Sequence, residues 1–402
     1  MPATLTTLDA ITKEIYPGKG VAEQLNNDVV TLRRIEKTSD GVTNDVGGRY
    51  VTFPIRTRRN QGIGARSENG VLPTAGQQGT AAARVGLKYL YGSVELTGQA
   101  LSLINTNVQA FMSALDLEMS GLRDDLALDL NRQMYADGTG VIGTVRSVVT
   151  STIIPVDRAD LFQLDEVVDL CTLPSTVATA GRTITAIDLT PGANTITISG
   201  AAVTTVVGQI LVRTGNLNKE WTGLGAIVKA TGTLYNINPS TEPVWTANVN
   251  GNGGTPRSVS ETLFTTMADT IRTRGGSPTA IFYNLGVRRA YANLLQQQRQ
   301  FVNTKEFTGG FSGLAFQTDK GEIPMVVDIM APPKTASFIN EKALKIYREG
   351  EWDWLDQNGS KWQQKIDSNG RYDAWQATMK QYSEIGTDRR NSHGRIDDLI
   401  EA

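Results

Sequence analysis

Few residues of this chain have both the type and the spacing for chemistry. It has one cysteine, Cys171, and one histidine, His393. A single thiol excludes an internal disulfide and a thiolate metal cluster. A single imidazole leaves no histidine partner for a zinc site and little for a nucleophile–base pair. Cys171 lies in an apolar stretch that reads as helical (Val167, Val168, Leu170, Leu173) and is expected to be packed. His393, beside Arg389, Arg390 and Asn391, is expected on an exposed tail. Asp124, Asp125 and Asp129 lack the chelating, glycine-turned loop of a cation site, so they read as a solvated helix face. Gly138-Thr-Gly140-Val-Ile-Gly143 has the letters of a dinucleotide fingerprint. That chemistry needs a strand before and a helix after, so that a pyrophosphate meets a helix N-terminus. Here a long helix precedes and an extended segment follows. Asp356-Gln-Asn358-Gly359 resembles part of a calcium loop, but Trp354 and Lys365 stand where its first aspartate and its glutamate belong, which leaves a hairpin turn. No catalytic, cofactor-binding or metal residue is expected, and the inventory argues against an enzyme.

Charge is left as the available chemistry. Arg56, Arg58 and Arg59 lack the interleaved aromatics of a nucleic-acid patch, and the chain's formal net charge is −2. A protein–protein contact is the better account. Glu349, Glu351 and Asp353 alternate with Trp352 and Trp354, as on a strand with its indoles inward and its acids outward. Arg56 and Arg58 share a face of their strand, and the two rows are expected to meet between subunits. Each exposed pair would contribute only ~0–1 kcal/mol, but a repeated contact accumulates.

The arginines belong to an unusual element. Val51, Phe53 and Ile55 alternate with Tyr50, Thr52 and Arg56, and Val85, Leu87, Tyr89 and Tyr91 with Arg84, Gly86 and Lys88. A phase slip is expected at Gly92, a β-bulge, after which Val94 and Leu96 carry the apolar face. Between these strands Asn60 to Thr80 holds five glycines and Pro73. A lone two-stranded ribbon is marginal in water, and a structureless loop beyond about 12–15 residues is uncommon unless functional or disordered. The ribbon is expected to lack a core of its own and to lie on another copy of the chain.

Residues 1–48 read as an extended arm. After the ribbon, Thr106-x-x-Gln109 fits a capping box, and Val108, Met112, Leu115, Met119, Leu122, Leu126 and Leu130 form a helical stripe. About 30 residues at 1.5 Å each make that helix roughly 45 Å long. A second helix is expected over 157–173. From about 175 to 255 the chain is rich in Thr, Val, Ile and Gly, a small antiparallel unit with the turn Pro191-Gly192. Helices follow from the box Ser258-x-x-Glu261 and over about 285–300, with strands at 279–283 and 322–328, a strand or strand–turn from Tyr372 to Thr387, and turns at Asp356–Gly359 and Asp367–Gly370. Helices and strands mix without a βαβ rhythm, so the class is α+β. No run approaches the ~18 apolar residues of a membrane span, and no signal-peptide core opens the chain. No membrane partner is expected.

In order and in wording the chain resembles the major capsid proteins of tailed bacteriophages, with the Hong Kong 97-type fold. The wording includes Glu68-Asn-Gly-Val-Leu-Pro73, Val85-Gly-Leu-Lys-Tyr-Leu-Tyr91, Glu95-Leu-Thr-Gly98, Asp137-Gly-Thr-Gly140 and the stretch Trp352 to Trp362. The resemblance implies an N-terminal arm (1–48), an E-loop ribbon (49–97) and a peripheral domain with a spine helix (98–156). It further implies an axial domain (157–345) with a β-rich insertion at about 175–255, and C-terminal peripheral strands with a tail (346–402). It implies a structural protein whose hexamers and pentamers form an icosahedral shell around double-stranded viral DNA, which near-neutral charge lets it hold by weak, non-specific contact. A separate scaffolding protein, a portal protein and room for a decoration protein belong to the same expectation, with assembly in the bacterial cytoplasm and residence in the virion. The ribbon has no lysine between Arg49 and Leu87, so no covalent isopeptide cross-link is expected there. With the ribbon starting near residue 49, no fused scaffolding segment is expected ahead of the arm. The alternative is an encapsulin-type nanocompartment shell enclosing a cargo enzyme.

Overall fold

The computed structural model describes residues 29–39, 50–99, 108–190, 192–299, 314–318, 321–356, 359–367 and 370–402. Most of the arm 1–48, Thr106 of the capping box with the Gln109 side chain, Pro191, Asn358 and the centre of the 367–370 turn lie outside the described residues.

The predicted long helix is present as Val108–Tyr135, 28 residues. Leu126, Leu130 and Met134, at helical spacing, are its buried stripe. It ends where Gly138 takes a φ of +90°, a conformation that costs glycine no steric penalty. There the Asp137 Oδ1 accepts hydrogen bonds from the Thr139 backbone N and hydroxyl.

The helix lies on a six-stranded sheet organised by one 18-residue strand, Gly370–Thr387. Against it pair Leu344–Arg348, Asp353–Trp354, Gln363–Asp367 and Lys88–Thr97, all antiparallel. Glu36–Thr38 adds a parallel edge on Leu344–Arg348. The bulge expected at Gly92 is not there: the ladder from Lys88 to Thr97 runs in unbroken register. The phase changes at Leu87, between Gly79–Gly86 and Lys88–Thr97, so Val94 and Leu96 face inward while Tyr89 and Tyr91 are half exposed. Gly92 has a different purpose. A Cβ there would sit 2.8 Å from Leu126 Cδ1, so glycine lets helix and sheet close together. The strand expected through Glu349, Glu351 and Asp353 also contracts, to the two residues Asp353–Trp354.

A second unit is entirely β. Val141–Thr144, Ile210–Arg213, Val167–Thr172, Thr176–Asp188, Thr195–Ile198 and Ile153–Pro155 form a six-stranded sheet in that order. It has its own core, including Phe162, Leu170, Ile184 and Ile196. The helix expected over 157–173 is replaced by a short turn of 3-10 helix, Ala159–Leu161, and by the strand Val167–Thr172. Val168 to Cys171 are buried on both faces, and such a run has no period that separates strand from helix. The β-rich composition read from 175 thus belongs to a sheet that starts at Val141. Trp221, Leu224 and Trp245 return to the main core instead.

The third unit is a mixed six-stranded sheet, Asn248–Asn250, Gly394–Ile396, Ala336–Ile339, Ala280–Tyr283, Gly321–Val327 and Leu314–Thr318. Helix Glu261–Thr273 packs Phe264, Met267 and Ile271 against it. The cap of that helix is Ser260, whose hydroxyl accepts from the Leu263 backbone N, and not Ser258. Leu285–Arg299 is the other expected helix. The C-terminal residues are not an exposed tail: Gly394–Ile396 pairs into this sheet, and His393 is fully buried. The Arg390 guanidinium, also buried, donates to the carbonyls of Ile227, Gly232, Trp245, Ala226 and Thr231.

Candidate functional site

The ribbon pairs Tyr50–Arg58 with Gly79–Gly86. Its lower half has a core after all. Val51, Ile55, Ala83 and Val85 are buried in the main cluster, because the strands lean on their own chain. The Arg84 backbone N donates to Tyr235 O, and Phe53 stacks on Tyr347 at 6.0 Å. The tip is different. Ile63, Val71 and Leu72 are 85%, 87% and 81% exposed. A large aliphatic side chain gains roughly 1.5–3 kcal/mol on full burial, so three on one protruding loop make a surface that favours being covered.

Arg56, Arg58 and Arg59 are all exposed beside this tip. Arg56 Nε donates to Gln78 Oε1 at 2.7 Å, and Arg58 Nη2 meets Glu242 Oε1 at 3.3 Å. The acidic row is exposed as well, but Glu351 holds Arg348. The structure does not bring the two rows together within one chain. Each row already has partners on its own side, and the side chains of Arg59, Glu349 and Asp353 have no hydrogen-bond or ion-pair partner among the described residues.

Sequence reasoning missed the buried polar groups. Asp129, read as solvated, is buried between two guanidiniums: Arg132 Nε at 3.0 Å and Arg213 Nη1 at 2.8 Å. Burial alone would raise its pKa, but the two cations outweigh it and lower the carboxyl to about 2. Arg132 also reaches Glu220 at 2.7 Å, and Arg213 reaches Glu166 at 2.6 Å. A second cluster anchors the segment after residue 28. Thr31 donates to Asp328 Oδ2 from both its backbone N and its hydroxyl, and Asn131 Nδ2 donates to both oxygens of Asp328. The i,i+3 spacing of Asp129 and Arg132 was the one local signal. Thr31 and Asp328 are 297 positions apart, which no local pattern reports.

Cys171 is packed as expected, although on a strand. At Gly138–Gly143 helix precedes strand, the reverse of a dinucleotide site. Gly359 N donates to Asp356 Oδ1 at 2.7 Å, the turn expected there. Among the described residues no group of three or more His, Cys, Asp or Glu side chains is placed to hold a metal, and no helix is long and apolar enough to cross a membrane. What the arrangement offers is surface: an anchored ribbon with an apolar tip, and two charged rows facing outward.

The comparisons with known proteins speak to the same point. The chain superposes on the capsid asymmetric unit of cyanophage A-1(L) with a TM-score of 0.55 and 14% identity, over 94% of this chain and 97% of that one. This shows the α+β capsid fold. A chain of Mycobacterium phage Bobi gives 0.47 at 10% identity, covering 99% of both chains. An encapsulin from Synechococcus elongatus gives 0.40 at 6% identity, over 96% and 93%. No curated protein matches. The family model described as "SU10 major capsid protein" matches residues 195–399, just over half of the 402. By that match the chain belongs to the SU10 major capsid protein family, the major capsid proteins of tailed phages, and copies of it build the capsid.

Proposed function

We propose that this chain has a purely structural task, with no catalytic activity, in an icosahedral shell of hexamers and pentamers around double-stranded DNA. The supporting observation is the ribbon, anchored at its base and carrying three large apolar side chains more than four-fifths exposed at its tip. In this reading residues 1–48 are the arm, 49–97 the E-loop, and 98–156 with 346–402 the peripheral domain. Residues 157–345 are the axial domain, and its β-rich insertion at about 175–255 shares a sheet with strands that begin at Val141. Assembly takes place in the bacterial cytoplasm on a separate scaffolding protein, with a portal at one vertex and an outer surface open to a decoration protein. Packaged DNA touches the wall weakly. Electron microscopy of the purified chain, with and without its scaffolding partner, tests the reading. Closed particles are expected, and a compact monomer under both conditions would overturn it.

The charged rows remain the proposed contact between subunits, Arg56, Arg58 and Arg59 on one copy against Glu349, Glu351 and Asp353 on the next. Exposed pairs are screened by salt. Shells of Arg56→Glu/Arg58→Glu are therefore expected to dissociate at lower salt than the parent. Unchanged salt tolerance would remove the pairing.

A further inference from the structure

A cavity of about 310 Å³ opens where the segment after residue 28, the long helix and the six-stranded sheet meet. Cations enter its wall from three elements. Arg33 and Lys37 come from the helical turn Thr31–Arg34 and the edge strand Glu36–Thr38, where Lys37 pairs in register with Ile346 of the same wall. Arg123 comes from the helix, on the face that also presents Ala127 and Leu130. Arg348 ends its strand beside them and is held by Glu351 at its own side. Arg33, Lys37 and Arg123 are exposed, and their side chains have no hydrogen-bond or ion-pair partner among the described residues. With Glu351 taken by Arg348, Asp124 is the one other acid in the wall among the described residues. Three cations around one small hollow, in a chain of net charge −2, repel one another until an anion enters.

Gln381 is a second, independent sign. Its side chain is 6% exposed in the same wall, and its Oε1 has no hydrogen-bond partner. A buried carbonyl oxygen without a partner is costly. By flipping, it presents either an acceptor or two donors to whatever occupies the space. The half-buried Trp352 supplies an apolar wall beside it.

We propose that this cavity binds a phosphate group, with Arg33, Lys37 and Arg123 neutralising it and Gln381 hydrogen-bonding to one of its oxygens. Cations arriving from three directions suit a tetrahedral anion with up to two charges better than a planar carboxylate with one. The phosphate comes either from a nucleic-acid backbone or from solution. The first source rests on the proposed DNA-filled shell, and the second does not.

Titration calorimetry on the full chain, in low-salt buffer free of phosphate, tests the site with two probes: inorganic phosphate and a short DNA oligonucleotide. Arg33→Gln/Arg123→Gln is compared with Lys361→Gln/Arg371→Gln, which removes the same charge from two exposed positions elsewhere. The cavity variant is expected to bind phosphate at least tenfold more weakly, and the control less than twofold. Gln381→Met is expected to weaken phosphate binding while keeping the parent's thermal unfolding midpoint. Competition between oligonucleotide and phosphate assigns the site to nucleic acid. Phosphate binding that the oligonucleotide leaves untouched assigns it to the free anion, and would stand even if the shell encloses something other than DNA. Equal losses in the cavity and control variants, or no binding of either probe to the parent, would overturn the proposal.

Discussion

Arg132→Leu is expected to destabilise the chain by about 3–5 kcal/mol, a large share of a folded domain's total stability. Arg132 is 7% exposed, and each of its three guanidinium nitrogens is engaged. Nε holds Asp129, Nη2 holds Glu220, and Nη1 holds the carbonyl of Val141 at 3.0 Å. Leucine fills part of the space but strands the Glu220 carboxylate in the interior with only Asn216 Nδ2, 3.1 Å away, as a donor. Burial already pushes the Glu220 pKa up against the pull of Arg132. Asp129 keeps Arg213 and Gln133, so its loss is smaller. The effect comes from an unpaired buried charge and not from the attraction itself. Replacing the whole group by Asp129→Leu/Arg132→Met/Glu220→Leu should therefore cost much less than Arg132→Leu alone. Guanidinium unfolding of the unassembled chain measures both. A loss below about 1 kcal/mol for the single variant would show that water reaches the carboxylates.

The second large effect is a stability plateau in pH set by two buried groups of opposite sign. His393 is fully buried, and burial lowers its pKa from 6.5 to about 3. Its Nδ1 accepts from Asn340 N at 3.3 Å, so the proton sits on Nε2 and is donated to Thr387 Oγ1 at 2.9 Å. Because the folded state resists the proton that the unfolded chain takes up, stability is complete above pH 6.5 and is lost as pH falls toward 3. Glu384 is the reverse. Burial raises its pKa from 4.5 to about 8, against the pull of the hydrogen bonds that Thr222 N and Ile385 N donate to Oε1. Here the folded state keeps a proton that the unfolded chain gives up. Stability is complete below pH 4.5 and is lost as pH rises to 8.

Each slope amounts to about 1.4 kcal/mol per pH unit. Between pH 4.5 and 6.5 the two oppose and cancel. Beyond that window stability falls on both sides. Other groups add to the limbs, Asp129 on the acid side among them. The test is therefore the difference between parent and variant in chemical unfolding across pH. Glu384→Gln should flatten the limb above pH 6.5 by about 2 kcal/mol at pH 8. His393→Gln should flatten the limb below pH 4.5 by a similar amount. A difference that stays constant with pH in either case would mean that the residue titrates alike in both states.

The ribbon shows how far local pattern reaches. Its alternation through Val51, Phe53 and Ile55 was legible because one face is buried and a strand's period is two. The same logic misplaced the phase change, since Gly92 is explained by Leu126 on a helix some thirty positions later. Of the candidate surface, the exposure of Arg56, Arg58 and Asp353 was legible from strand geometry, whereas Arg59, Glu349 and Glu351 are exposed outside any strand. Their partners Glu242 and Arg348 were not legible.

By itself the sequence determined what repeats within a few residues. The long helix and its stop at Gly138, extended chain within Tyr372 to Thr387 and the glycine-rich tip follow from side-chain period and backbone freedom. The resemblance to tailed-phage capsid proteins rested on the same local phrases. Which polar groups are buried follows from how distant segments pack: Asp129 between its guanidiniums, His393 in the interior, Asp328 accepting from Thr31. Burial and pairing depend on residues brought together from distant parts of the chain, and the free energy of a charge changes more with those neighbours than with its own position in the sequence.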